Sequence, residues 1–277
     1  MLPSYLKTEL NLKHLDNFLL ISGPCVVESK SVIFKTCEAL KKLSEKYKLP
    51  FIFKSSFIKA NRTSSESFRT LGIDEALYIL MQAKKEFGVP LLTDIHSEID
   101  AILVAEVVDV LQIPAFLCRQ TELLEAAGET GKIVNIKKGQ FMAPDDMKYQ
   151  AKKIAATGNK KIFLTERGTT FGYNNLVVDM RSLVIMKRSG YPVIFDATHS
   201  VQMPSVEKGV SGGNPEFIAP LSRAAAASGV DGFFIETHPD PKKALSDAAS
   251  MLKLDKMESL LKDLLYVNKV HKLHNKS

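Results

Sequence analysis

Four residues far apart in the chain offer one thiol, one imidazole and two carboxylates: Cys25 in GPCVVES, His199 in DATHS, Glu236 in ETHP and Asp247 in LSDA. Brought together, they suit a divalent transition metal such as zinc or iron(II), and suit magnesium or calcium poorly, because those hard cations avoid sulfur. A second set is cationic: Lys54, Lys59, Arg62, Lys137 and Arg167. Arginine offers a planar fork for phosphate or carboxylate and lysine a movable point charge, so this set fits one or two substrates carrying both kinds of anion. Taken singly, each residue has a plainer reading. A lone Cys after a strand is most often a small buried hydrophobe, and Lys or Arg on a polar loop is usually solvated. The chemistry depends on a fold that gathers them.

Such a fold is legible in the alternation of the chain. Short β-branched and aromatic runs recur at 17–22, 51–54, 90–94, 107–112, 133–137, 161–166, 192–197 and 232–236, each followed by a segment of helical period. Eight such units predict an α/β fold, a closed (β/α)8 or TIM barrel, as a single domain over 1–277. Asp74–Phe87 illustrates the helices: Leu77, Leu80, Met81 and Ala83 share a face, with Asp74 predicted as N-cap and Gly88 as the residue that ends the helix. In a barrel of this kind the active site lies at the C-terminal ends of the strands. Those ends carry Cys25, Lys54, Asp94, Gln112, Lys137, Arg167, His199 and Glu236, with Lys59, Asn61, Arg62 and Asp247 just beyond. Lys137 stands beside Lys138, and two like charges at one mouth call for an anion. The segment KGVSGGN (208–214) reads as an active-site loop, and the end NKVHKLHNKS as a solvated helix end and tail.

Composition narrows the classes. With 37 Lys and Arg against 31 Asp and Glu, the formal charge is +6, but Trp is absent and the cations of interest are interleaved with acids at strand ends. That argues against a nucleic-acid surface, which pairs basic patches with exposed aromatics. No stretch approaches a membrane span and the N-terminus lacks the apolar run of a signal peptide, so the chain reads as soluble and cytoplasmic, without a membrane partner. Three cysteines, Cys25, Cys37 and Cys118, are too few for a disulfide framework; Cys37 on a helix and Cys118 in an apolar stretch read as packing. His14, His96, His271 and His274 take no role, and His238 reads as a supporting residue or a cap.

The segments KANRTS (59–64), LQIPAFLCRQT, VNIKKGQF, RGTTFGYNNLVVDM, DATHSVQ and ETHPDPKKALSDA resemble, in order, those of the 3-deoxy-D-manno-octulosonate 8-phosphate (KDO8P) synthases, from about Phe18 to about Leu254. The related 3-deoxy-arabino-heptulosonate 7-phosphate (DAHP) synthases, which take erythrose 4-phosphate, typically carry a KPRTS-like motif where this chain has KANRTS. The resemblance implies condensation of phosphoenolpyruvate with D-arabinose 5-phosphate, for the lipopolysaccharide inner core, by a homotetramer. It also implies site roles. Lys59, Lys137 and Arg167 hold the phosphate and carboxylate of phosphoenolpyruvate, with Lys54 and Gln112 close by. Asn61, Arg62 and Thr63 engage arabinose 5-phosphate, Arg62 at its phosphate, and Asp94 contacts the sugar. Members with Cys at the position of Cys25 are metal-dependent and those with Asn are not, so Cys25, His199, Glu236 and Asp247 are expected to hold zinc, iron(II), manganese or cobalt. That ion either polarises the aldehyde or activates water. One departure stands out: SGGNPEF (211–217) has Asn214 and Pro215 where the family pattern leads one to expect a basic residue.

Overall fold

The computed structural model describes residues 2–60, 68–207 and 210–274. Eight parallel strands form the barrel: β1 (Leu19–Gly23), β2 (Phe51–Lys54), β3 (Leu91–Asp94), β4 (Val110–Ile113), β5 (Ile133–Lys137), β6 (Ile162–Glu166), β7 (Val193–Asp196) and β8 (Gly232–His238). Each pairs with the next, and β8 closes on β1 with Gly23 opposite Glu236. All eight predicted runs are strands. The fourth shifts most, starting at Val110, because Asp109 is spent on the turn before it, where its carboxylate accepts from Lys84 Nζ and the Leu91 amide.

The helices that follow are α1 (Lys30–Tyr47), α2 (Ile73–Phe87), α3 (Glu98–Ala105), α4 (Thr121–Glu129), α5 (Met147–Ala156), α6 (Met180–Lys187), α7 (Ile218–Ala227) and α8 (Met257–His274). In α1 the buried Ile33, Thr36, Cys37, Leu40 and Ser44 recur at helical spacing, and Ser29 caps the start by accepting the Val32 amide. In α2 the C-terminal glycine is as predicted, Gly88 at φ 61, but the helix starts at Ile73, ahead of where a cap at Asp74 would begin it. Gly72 is the N-cap, and Asp74 lies in the first turn, where a carboxylate favours the helix dipole. The predicted solvated helix end is seen: α8 continues through His274 with Val270, Lys272 and Leu273 exposed, while His271 Nδ1 lies 2.8 Å from the Ala227 carbonyl.

Period-2 alternation divides each strand. Outward side chains such as Leu20, Phe53, Leu111, Ile136 and Phe233 pack with the helices. Inward ones, Leu19, Ile21, Ile52, Leu92, Val110, Ile133, Phe163, Ile194 and Phe234, form a separate apolar cluster. Leu2, Leu6, Leu10 and Leu12 join that inner cluster, so the short N-terminal helix Tyr5–Leu10 plugs the barrel interior. The apolar residues thus occupy the plugged end, leaving the polar ones to the strand ends.

The same alternation revises the reading of Lys138. Consecutive strand-end residues face opposite ways, so Lys137 points into the barrel while the fully buried Lys138 does not share its mouth. Lys138 Nζ donates to the carbonyls of Gly139, Met142 and Gly168 and to Thr169 Oγ1, with Glu166 Oε1 at 3.5 Å. Protein carbonyls and Glu166 compensate it, rather than a bound anion. Lys138→Met leaves Glu166 buried without its cation and is expected to cost about 3–5 kcal/mol, a melting temperature lower by at least about 6 °C. A melt unchanged from the parent would show that this pair is not structural.

Candidate active site

The inward positions next along the strands are polar and buried: Lys54, Asp94, Gln112, Asn135, Lys137, Thr165, Asp196 and Glu236. Half of them form a one-directional hydrogen-bond chain. Thr165 Oγ1 donates to Asn135 Oδ1 at 2.6 Å, Asn135 Nδ2 to Gln112 Oε1 at 2.8 Å, and Gln112 Nε2 to Asp94 Oδ1. Ser56 Oγ donates to the other oxygen of Asp94. Each link leaves only one amide orientation for the next, and the chain ends on a carboxylate that can only accept.

The other half is ionic. Lys54 Nζ bonds Glu236 Oε1 at 2.5 Å and the Cys25 carbonyl at 2.9 Å. Lys137 Nζ meets Asp196 Oδ2 at 2.6 Å, and His199 Nδ1 meets the same oxygen at 2.8 Å. The amides of Thr198 and His199 donate to Asp196 Oδ1. Phe234 is the floor: Lys137 Nζ lies 3.6 Å and Lys54 Nζ 5.5 Å from its ring centroid. Burial pushes Asp94, Asp196 and Glu236 up, but Lys54, Lys59, Lys137 and His199 outweigh it and hold all three carboxyls below their usual range. Their contribution to stability is therefore complete above about pH 4, the unfolded value, and is lost as pH falls through the lowered folded values. Acid unfolding followed by circular dichroism should steepen below about pH 4, and Asp196→Asn should make that limb shallower; an unchanged limb would mean Asp196 does not contribute.

Three of the four residues read as metal ligands converge. One ligand atom each from Cys25, Glu236 and Asp247 lies within 4.8 Å of the others. Cys25 Sγ is 2.8 Å from Asp247 Oδ2 and 3.0 Å from Ser246 Oγ. His199 stands beside the group, Nε2 3.8 Å from Glu236 Oε2, with its other nitrogen turned to Asp196. The donor set fits a divalent transition metal on two observations. Glu236 Oε2 is buried without a hydrogen bond. Burial, Asp247 and Glu236 together drive the Cys25 thiol well above its ordinary range, an acid crowding that a cation relieves.

Arg167 and Lys59 form the anion-facing part. Arg167 Nη2 donates to Gln202 Oε1 at 2.9 Å, and Gln202 Nε2 to Asp247 Oδ1 at 3.2 Å, while Arg167 Nη1 is buried with no hydrogen-bond partner. Lys59 is buried, 3.9 Å from Asp247 Oδ2. Asn61, Arg62 and Thr63 lie outside the described residues. The ends of their segment are tied together, the Lys59 amide donating to the Arg69 carbonyl at 2.9 Å. Asn214 and Pro215 have a structural account: the Asn214 amide donates to the Val201 carbonyl, and Pro215 opens the 3-10 turn that leads into α7. The glycine-rich segment before them pairs Gln202–Glu207 with Val210–Gly213 as an antiparallel hairpin.

As the interleaving of cations and acids at the strand ends implies, Lys54, Lys59, Lys137 and Arg167 share the mouth with Asp94, Asp196, Glu236 and Asp247. Sequence reading passed over Asp196, Gln202, Asn135, Thr165 and Ser56. Asp196 had a signal, since it ends β7 three residues before His199 and so meets the strand-end criterion. His96, half-buried and near Asp94, follows the same strand end.

A parallel (β/α)8 barrel with paired cations, carboxylates and a thiol at its strand ends defines the class, and the chain belongs to the DAHP synthetase I family, whose model matches residues 13–272. Within that class, it is similar to proteins named 2-dehydro-3-deoxyphosphooctonate aldolase. One from Acidithiobacillus ferrooxidans is 53% identical over 264 residues, covering 95% of this chain and 93% of the relative. One from Campylobacter jejuni is 55% identical over 265 residues (92% and 97%), and one from Dichelobacter nodosus 56% identical over 247 residues (89% of each).

Proposed function

We propose that the chain condenses phosphoenolpyruvate with D-arabinose 5-phosphate and water, giving 3-deoxy-D-manno-octulosonate 8-phosphate and inorganic phosphate. The observation that carries this reading is the buried, unpartnered Arg167 Nη1, linked through Gln202 to Asp247 of the Cys25–Glu236–Asp247 group. An anion-seeking donor and a cation-seeking set thus share one mouth. The names of the relatives favour the eight-carbon product over the seven-carbon one of the family description.

C3 of phosphoenolpyruvate adds to C1 of the sugar phosphate, water adds to C2, and the C2–O bond to phosphate breaks as the ketone forms and the C2 hydroxyl gives up its proton. Both substrates are anions and repel in water. Fixed cations remove that repulsion and supply the proximity a carbon–carbon bond needs. Arg167, Lys137 and Lys59 hold the phosphate and carboxylate of phosphoenolpyruvate above Phe234. Asp94, its oxygens fixed by Ser56 and Gln112, accepts from a sugar hydroxyl. Asp196 anchors His199 at Nδ1 and leaves Nε2 toward Glu236. Zinc, iron(II), manganese or cobalt held by Cys25, Glu236 and Asp247 beside His199 supplies a Lewis-acid centre.

In this reading the enzyme works in the cytoplasm, as a homotetramer, for the lipopolysaccharide inner core. No helix among the described residues is long and apolar enough to cross a membrane. Exposed Phe141, Phe171 and Tyr173 offer an assembly apolar surface to cover. The test is phosphate release from phosphoenolpyruvate with arabinose 5-phosphate, and separately with erythrose 4-phosphate, before and after chelation and metal add-back. Activity with the five-carbon sugar alone, lost on chelation and restored by metal, is expected. Activity only with erythrose 4-phosphate would overturn the substrate, and activity that survives chelation would overturn the metal.

A further inference from the structure

Behind the Cys25–Glu236–Asp247 group lies a second buried pair. Glu28 follows Cys25 by three residues, and His238 ends β8 two residues after Glu236. Their side chains are 8% and 4% exposed, and His238 Nε2 lies 2.5 Å from Glu28 Oε1. The Asp240 amide donates to His238 Nδ1 at 2.9 Å, which leaves the ring proton on Nε2, directed at Glu28. The second oxygen of Glu28 accepts the Leu245 amide at 2.9 Å, two residues before Asp247.

These bonds join the three segments that carry the group. Glu28 belongs to the segment of Cys25, His238 to the strand of Glu236, and Leu245 to the loop of Asp247. That loop needs support. Between the 3-10 turn Pro241–Lys243 and Leu252 it has no regular element, Leu245 is exposed, and Asp247 sits at φ 49, a left-handed conformation that costs any residue but glycine, although aspartate tolerates it better than most. A strained residue persists where its surroundings over-determine it. Here the Leu245 amide is fixed on one side by Glu28, and on the other the Ser250 amide donates to the Asp247 carbonyl.

We propose that Glu28 and His238 are positioning residues that hold the Asp247 loop against Cys25 and Glu236, and so set the metal affinity of the group. The proposal rests on reading that group as a metal site. Neither side chain has a free oxygen or nitrogen directed at a substrate: both imidazole nitrogens and both carboxylate oxygens of the pair are engaged with each other or with the backbone. Their influence therefore passes through the loop.

The test is titration of the metal-free, full-length protein with cobalt(II), reading the thiolate-to-cobalt absorbance band and the dissociation constant, for the parent, Glu28→Ala, Glu28→Gln and His238→Ala. Supporting residues behind metal ligands typically govern affinity by 10–100-fold, and Glu28→Ala and His238→Ala are each expected to weaken cobalt binding by about that factor, with the thiolate band retained at saturation. Glu28→Gln, which keeps the volume and one acceptor, should recover part of the loss, and it serves if the alanine variant does not fold. Combining Glu28→Ala with His238→Ala should cost little more than either alone, because one device is broken once. A parent with no thiolate band would overturn the metal reading, and the clamp's purpose with it. A parent with the band and variants that bind cobalt as tightly would overturn the clamp alone.

Discussion

Arg167→Ala is expected to lower turnover about 10²–10³-fold, with a far smaller loss of stability. The side chain is buried, yet Nη1 has no hydrogen-bond partner among the described residues. A buried charged nitrogen left without a partner is costly in a fold and is retained where a ligand completes it. Its hydrogen bond among the described residues is the single one from Nη2 to Gln202, and Asp196 and Glu236 beside it keep Lys137 and Lys54, so the fold is expected to lose less than the reaction does. The reaction expels phosphate from C2, and a guanidinium fork fixed in advance stabilises that leaving group without having to reorganise. Steady-state kinetics and a thermal melt on the same preparation separate the two effects. Near-normal turnover would remove Arg167 from the site, whereas a melt lowered in proportion to activity would make it a structural residue. Arg167→Lys is expected to recover little, since a point charge does not reproduce two parallel donors.

How much of this was readable follows from what each feature depends on. Strand number and the inward strand ends depend on local periodicity, and Lys54, Asp94, Gln112, Lys137 and Glu236 all lie where the strand-end rule puts them. Asp196 satisfied the same rule and was overshadowed by His199. The hydrogen-bond chain from Thr165 to Asp94 depends on the register between four neighbouring strands, which no single run encodes. Lys138 shows the opposite failure. Its charge suggested a ligand, but strand alternation, itself legible, turns it away from the mouth. The plug formed by Leu2, Leu6, Leu10 and Leu12 was silent, because four leucines near a terminus fit many partners until the barrel interior is known.

The largest effect expected of any single substitution is that of Cys25→Ala, which should weaken metal binding by more than the 10–100-fold typical of a residue behind the ligands and remove most activity. The reason is charge balance as much as coordination. Lys54, Lys59, Lys137 and Arg167 already face Asp94, Asp196, Glu236 and Asp247, so among the described residues the charges of the mouth balance and leave no surplus for two anionic substrates. A divalent cation held by Glu236 and Asp247, with the thiol ionised, would add one net positive charge and would weaken the hold of those carboxylates on Lys54 and Lys59, leaving both lysines more available to phosphate and carboxylate. Phosphoenolpyruvate should therefore bind more weakly to Cys25→Ala than to the metal-loaded parent, although Cys25 itself is not a cation. Cys25→Asn puts in its place an uncharged amide able to donate to Asp247 Oδ2, the oxygen now 2.8 Å from the thiol. Metal content by elemental analysis, phosphoenolpyruvate affinity by calorimetry and turnover in chelator test the three proteins together. Metal-free turnover by Cys25→Asn, with none by Cys25→Ala, would mean that the amide replaces the ion's role in ordering Asp247. Full activity of Cys25→Ala in chelator would reduce Cys25 to a packed thiol and leave the cations alone to carry the reaction.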